Sequence, residues 1–213
     1  MISNRVLQRF VVAGVMLMLG AHIAALLLTG QSAMSSPISQ LSRGPGAALH
    51  TSGLFVLALV QPALAILLGR AAITSRMWTI ACWLMALNGV CLLFIAIYFL
   101  RAPDALLFGP DANDPLALLA SNVGLIMGLL HRGLRQRAPR CALLNTVMFV
   151  LWLALIPVIP FIEASWLGAY ERTVGVVLLL WLATLALLAP AGDEYKTTYW
   201  RVRRQPSPLR RRR

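Results

Sequence analysis

A six-helix, all-α polytopic membrane bundle is the fold this sequence predicts, and three observations predict it. Hydrophobic residues make up 59% of the chain and charged residues only 12%. A soluble domain carries roughly 25% charged residues, so this chain lacks the charge to clothe a surface in water, and part of its solvent must be lipid. Six stretches approach the roughly 20 apolar residues that cross a bilayer as a helix. The basic residues, finally, fall almost entirely in the connectors of one side.

The first stretch runs from Phe10 to Thr29, the second from Ala47 to Leu68 and the third from Trp78 to Leu100. The fourth, from Pro115 to Leu130, is the shortest. The fifth covers Ala142 to Ile162 and the sixth Tyr170 to Ala189. These are continuous apolar runs rather than alternating ones, which argues for helices over the strands of a membrane barrel. Arg5 and Arg9 precede the first run in the manner of a signal peptide. No small-x-small cleavage site follows, so the run reads as a retained helix.

Topology follows from charge. With the N-terminus on side one, that side holds Arg5, Arg9, Arg70, Arg76, Arg132, Arg135, Arg137, Arg140 and the tail from Lys196 onward. These are sixteen of the nineteen basic residues; side two holds only Arg43, Arg101 and Arg172. The positive-inside rule makes side one cytoplasmic, and an even helix count returns the C-terminus to it. Residues 1–194 then form one membrane domain of an inner-membrane, multi-pass protein. Residues 195–213 form a basic, disordered cytoplasmic tail lying along anionic lipid headgroups. A net charge of +12 invites nucleic acid as a partner, but basic groups spread over connectors and a tail are topology signals, and nucleic acid is excluded. The acids run the other way: Asp104, Asp111, Asp114, Glu163 and Glu171 fall on the outer side, leaving only Asp193 and Glu194 inside.

Polar residues inside the spans are few. His22 lies toward the outer end of the first helix and His50 opens the second. Pro62, at mid-helix, removes a backbone hydrogen bond. Gln61, Asn88 and Asn122 sit at mid-depth, where hydrogen bonding between helices is the plain account and a conduction path the sharper one. Gly124 and Gly128 permit close helix contact. Tyr98, Trp166 and Tyr170 mark the outer boundary. Cys82, Cys91 and Cys141 have no metal-type spacing and read as structural thiols.

Two stretches carry a resemblance. One is Ser36-Pro37-Ile38-Ser39-Gln40-Leu41-Ser42, after the first span. The other is Gly168-Ala169-Tyr170-Glu171-Arg172, opening the last, with Trp181 beyond it. With six helices in about 200 residues, as the layout of spans requires, they resemble the bacterial family called domain of unknown function 998. Its members are similar in an Asn/Ser-Pro-Ile-Ser-x-Leu outer loop and a Gly-Leu-x-Glu-Arg start to helix six. The resemblance implies an integral membrane protein and no particular activity.

The candidate site gathers at the outer end: Ser39, Ser42, Arg43, His50, Arg101, Asp104, Glu171 and Arg172, with His22 somewhat deeper. Ionisable groups near a span face a bundle interior or a watery cavity. Adjacent helical residues point about 100° apart, so Glu171 is expected to pair with Arg43 or Arg101, and Arg172 with Asp104 or Glu163. Such pairs either lock the outer loops or leave a guanidinium to hold a carboxylate or headgroup. His22 and His50 come from consecutive helices and can meet; with an Asp or Glu they would make a metal set, but their spacing is not of the metal-binding kind, helix packing is the plain account, and no cofactor is implied. The leading function is an outer polar pocket binding a lipid headgroup, a small ligand or a partner protein, with a second copy of the chain as another partner. The alternatives are a lipid-modifying enzyme using the histidines and outer acids, and a small transporter, for which no internal repeat is seen.

Overall fold

A computed structural model describes residues 2–42, 44–71, 73, 75–101 and 115–188. Arg43, Asp104 and the 195–213 tail therefore lie outside the described residues. Among those described there are six α-helices and no strand: α1 Asn4–Thr29, α2 Ala47–Gly69, α3 Arg76–Arg101, α4 Pro115–Arg137, α5 Pro139–Leu155 and α6 Leu167–Leu188. Five helical segments, α4 being the exception, are long and apolar enough to cross a membrane. Large apolar side chains such as Leu27, Trp83, Phe94 and Phe161 point outward. Soluble monomers rarely expose patches of that extent; a bilayer accepts them.

Each helix packs on the next in sequence, and α6 closes the ring onto α1 while also touching α2. The helices run up and down. At one end the Arg70 guanidinium donates to the Ile2 carbonyl (2.6 Å) and Asn4 Oδ1 (3.1 Å), joining the end of α2 to the start of α1. Trp78, opening α3, donates Nε1–H to the Leu68 carbonyl at 3.0 Å. This is the basic end. At the opposite end, residues 31–46 link α1 to α2 as a strap.

The helix limits differ from those expected in instructive ways. α1 begins six residues early because Ser3 Oγ accepts the Val6 N–H as an N-cap. α4 runs seven residues beyond Leu130, since its last turns keep Leu134 buried while Arg132 and Arg135 face out. α5 stops at Leu155 and continues as a 3-10 turn over Ile156–Phe161. Pro157 and Pro160 withhold the N–H groups that α-helical bonding needs, a loss that apolarity does not register.

The interior polar residues satisfy one another. Asn88 Nδ2 donates to Gln61 Oε1 (2.8 Å) and Asn122 Nδ2 to Asn88 Oδ1 (3.1 Å), tying α2, α3 and α4. Asn145 on α5 donates to the Met127 carbonyl (3.0 Å) and accepts the Trp181 Nε1–H (2.9 Å), tying α4, α5 and α6. Interhelical bonding thus accounts for these groups. Beside them Pro62 leaves the Ala58 carbonyl without its helical donor. Gly89 fills that notch: a Cβ there would stand 2.6 Å from the Ala58 oxygen. All three cysteines are free thiols, Cys141 buried and the others half-buried.

Candidate functional site

The strap is built from short-range bonds. α1 ends at Gly30, whose φ of 61° turns the chain out of the helix. Ser32 Oγ accepts the Met34 and Ser35 N–H groups at 3.3 Å each, the local bonding that serine favours in turns. A 3-10 turn over Ile38–Ser42 follows and packs among α1, α2 and α6. Leu41, with no exposed surface, anchors it.

The first turns of α6 grip this strap through hydrogen bonds. The Ala169 N–H donates to the Met34 carbonyl at 2.9 Å. Arg172 Nη1 donates to the carbonyls of Ala33 and Ser36, both at 2.9 Å. The Ile38 N–H donates to Glu171 Oε2 at 2.5 Å. The two backbones come so close that a Cβ on Gly168 would stand 2.5 Å from the Ser36 oxygen. Of the ion pairs expected for these two residues, those with Arg43 and Asp104 lie outside the described residues. The strap curls round the helix end, offering an N–H to Glu171 and carbonyls to Arg172. Glu163 is exposed and accepts from Ser165 Oγ at 3.4 Å rather than from Arg172.

Beneath the strap the two histidines meet. The rings of His22 and His50 lie edge to face, with centroids 5.5 Å apart and planes at 64°. His50 is 1% exposed and His22 half-buried. The Arg172 guanidinium is within electrostatic reach of both. The buried side-chain polar atoms without a hydrogen-bond partner, among the described residues, are His22 Nε2, Gln31 Oε1, Ser42 Oγ, His50 Nδ1, and Nε and Nη2 of Arg172. All six belong to this end of the molecule. Nε and Nη2 form one edge of the guanidinium; Nη1, on its other side, holds the strap.

Of the residues the sequence nominates, the structure brings His22, His50, Ser42, Glu171 and Arg172 to the strap end. Ser39 faces outward on the turn, and Arg101 is exposed at the end of α3. Arg43 and Asp104 are outside the described residues. No group of three or more His, Cys, Asp or Glu stands together as a metal set among the described residues. Sequence reasoning missed Gln31 and the main-chain groups of Ala33, Met34, Ser36 and Ile38. Gln31 had one signal, a long polar side chain directly after a helix-ending glycine. Main-chain groups have none.

The model of the family described as "Protein of unknown function (DUF998)" matches residues 11–188. The chain belongs to this family. The matched region holds α1 from Val11 on, the other five helices, the strap, both histidines and the Glu171–Arg172 pair, so the resemblance read in the two loop motifs is met. No curated protein and no solved structure matches the chain. With five apolar helices of spanning length, this DUF998 member is an integral, multi-pass membrane protein.

Proposed function

We propose that the protein is a membrane binding module. In this reading a six-span bundle holds the acid group of a lipid headgroup or small ligand in the recess under the strap. The observation that carries it is that all six buried, unpartnered side-chain polar atoms among the described residues belong to the strap end, where Arg172 lies within electrostatic reach of the two paired histidines. More than about 90% of buried polar groups find a partner, and leaving one unpaired costs about 1–3 kcal/mol. Scattered lapses would mean little; a cluster points to a group supplied from outside. The cluster is rich in donors. Arg172 Nε and Nη2 and the Ser42 hydroxyl donate, and each histidine nitrogen donates or accepts by tautomer. The free guanidinium edge matches two oxygens of one carboxylate or phosphate. Loading requires the strap to lift, because these atoms are covered.

The orientation belongs to the same proposal. Basic residues concentrate at the end holding Asn4, Arg70 and Arg132, so that end faces the cytoplasm of an inner-membrane protein. Both termini are then cytoplasmic, the tail rests on anionic lipid, and the recess opens outward.

Native mass spectrometry of the full chain purified in mild detergent tests the binding. The wild type should retain one acidic adduct per chain. Retention should fall about tenfold or more in Arg172→Lys, which keeps the charge but not the planar edge, the scale of one lost charge-assisted bond. It should also fall in His50→Ala, which leaves the strap bonds in place. Equal retention in all three proteins would overturn the proposal.

A further inference from the structure

We infer that the acid held in the strap recess is a phosphate ester that also bears a hydroxyl, and that this hydroxyl donates to the side-chain oxygen of Gln31. The inference rests on the reading of the recess as an acid-binding site and names the ligand class that site takes.

The roles open to the unpartnered atoms are the first argument. Arg172 Nε and Nη2 can only donate, while the Ser42 hydroxyl and the histidine nitrogens can take either part. Gln31 Oε1 can only accept, and among the described residues nothing donates to it. The amide cannot exchange its ends. Gln31 Nε2 donates to the Gln40 carbonyl at 3.4 Å, and a carbonyl has no proton to offer an oxygen turned toward it. A bare anion would satisfy Arg172 and leave Gln31 Oε1 stranded. A ligand that serves both carries acceptor oxygens at one point and a donor at another.

Placement is the second argument. Gln31 directly follows Gly30, where α1 ends, and its amide reaches across the strap to Gln40. Arg172 binds the strap at the Ala33 carbonyl, two residues beyond Gln31. The acceptor and the guanidinium are therefore fastened to the same short piece of chain. The strap joins the end of α1 to the start of α2, the level at which a bilayer carries its phosphates.

Charge decides between donors. An ammonium would bring a second cation beside Arg172, where the Glu171 carboxylate already takes the Ile38 N–H, and a buried charge needs a pair. A hydroxyl donates without a charge to bury. Phosphate suits the other end of the ligand. The Arg172 edge takes two oxygens of one acid, and a phosphate ester has further oxygens for Ser42 and a histidine N–H.

The test offers three lipids to the full-length protein in mild detergent and reads retention by native mass spectrometry. Phosphatidylglycerol and phosphatidylethanol carry the same phosphodiester charge, but only the first has headgroup hydroxyls; phosphatidylethanolamine has an ammonium instead. Wild type should retain phosphatidylglycerol about tenfold over either of the others, the scale of one buried acceptor satisfied or left bare. In Arg172→Lys, retention of phosphatidylglycerol and phosphatidylethanol should fall together. In Gln31→Met, which keeps the length and loses the acceptor, the preference should vanish while phosphatidylethanol is still retained. A loosened strap would lower both alike, so the ratio isolates the acceptor. Should Gln31→Met fail to fold, Gln31→Glu keeps an acceptor oxygen and should keep the preference at lower retention of both; a preference lost there overturns the inference. Equal retention of phosphatidylglycerol and phosphatidylethanol by wild type, both falling in Arg172→Lys, would overturn the hydroxyl and leave the acid-binding reading standing. A preference for phosphatidylethanolamine would also overturn it. No acidic adduct at all would remove that reading and the inference with it. Excess glycerol phosphate identifies the source: displacement of phosphatidylglycerol assigns the site to a soluble ester and persistence to the lipid, and either result carries the inference.

Discussion

Arg172 divides one guanidinium between two tasks. Nη1 fastens the strap carbonyls of Ala33 and Ser36, and the opposite edge is left to the recess. Glu171, its neighbour, takes the Ile38 N–H. Replacing Glu171 by Gln removes the charge from that bond and should weaken strap closure by about 1 kcal/mol, the excess of a charge-assisted bond over a neutral one. Hydrogen exchange at the Ile38 amide should accelerate accordingly; unaltered protection would show that the carboxylate does not hold the strap. Gly89 makes its contribution by having no side chain. Gly89→Ala drives a methyl into the Ala58 carbonyl and should lower stability by about 1–3 kcal/mol. Gly20→Ala, where nothing lies within 4 Å, should change it by less than about 0.5 kcal/mol. Thermal unfolding in detergent compares the two, and equal effects would refute the packing account.

Among the elements, α5 shows how helices without charged pairs are held in register. Asn145 bonds α4 on one side and α6 on the other. Asn145→Ala strands the Trp181 N–H and should destabilise the bundle by about 1–3 kcal/mol. Pairing it with Trp181→Phe, which removes the stranded donor, should cost less than the sum of the two single changes. Strict additivity would mean the bond is not felt. The sequence placed Gln61, Asn88 and Asn122 at mid-depth with helix contacts as the plain account, which is how they are used. It overran α5 by seven residues, because hydropathy does not see that Pro157 and Pro160 lack N–H groups. It also started α1 too late, because a serine cap and one polar turn extend the helix beyond its apolar run.

Taken whole, the molecule separates charge along its axis. Eight of the ten described arginines lie at one end, and the two described acids, Glu163 and Glu171, at the other. That asymmetry makes a directional prediction. A cysteine replacing Arg135 should react with a membrane-impermeant maleimide only after cells are opened. One replacing Ala33, exposed on the strap, should react on intact cells. The reverse pattern would invert the topology and place the strap recess inside.

The sequence by itself determined the solvent, the helix count and which connectors share a side. Apolarity and charge are local properties, and they add along the chain whatever the packing. Only the tertiary structure decided that the strap folds back beneath α6, that Ile38 meets Glu171 across 133 positions, and that two histidines lie edge to face under an arginine. Those facts depend on where distant segments come to rest and on backbone groups that nearly every residue owns. No pattern of residue types announces which of them will be used.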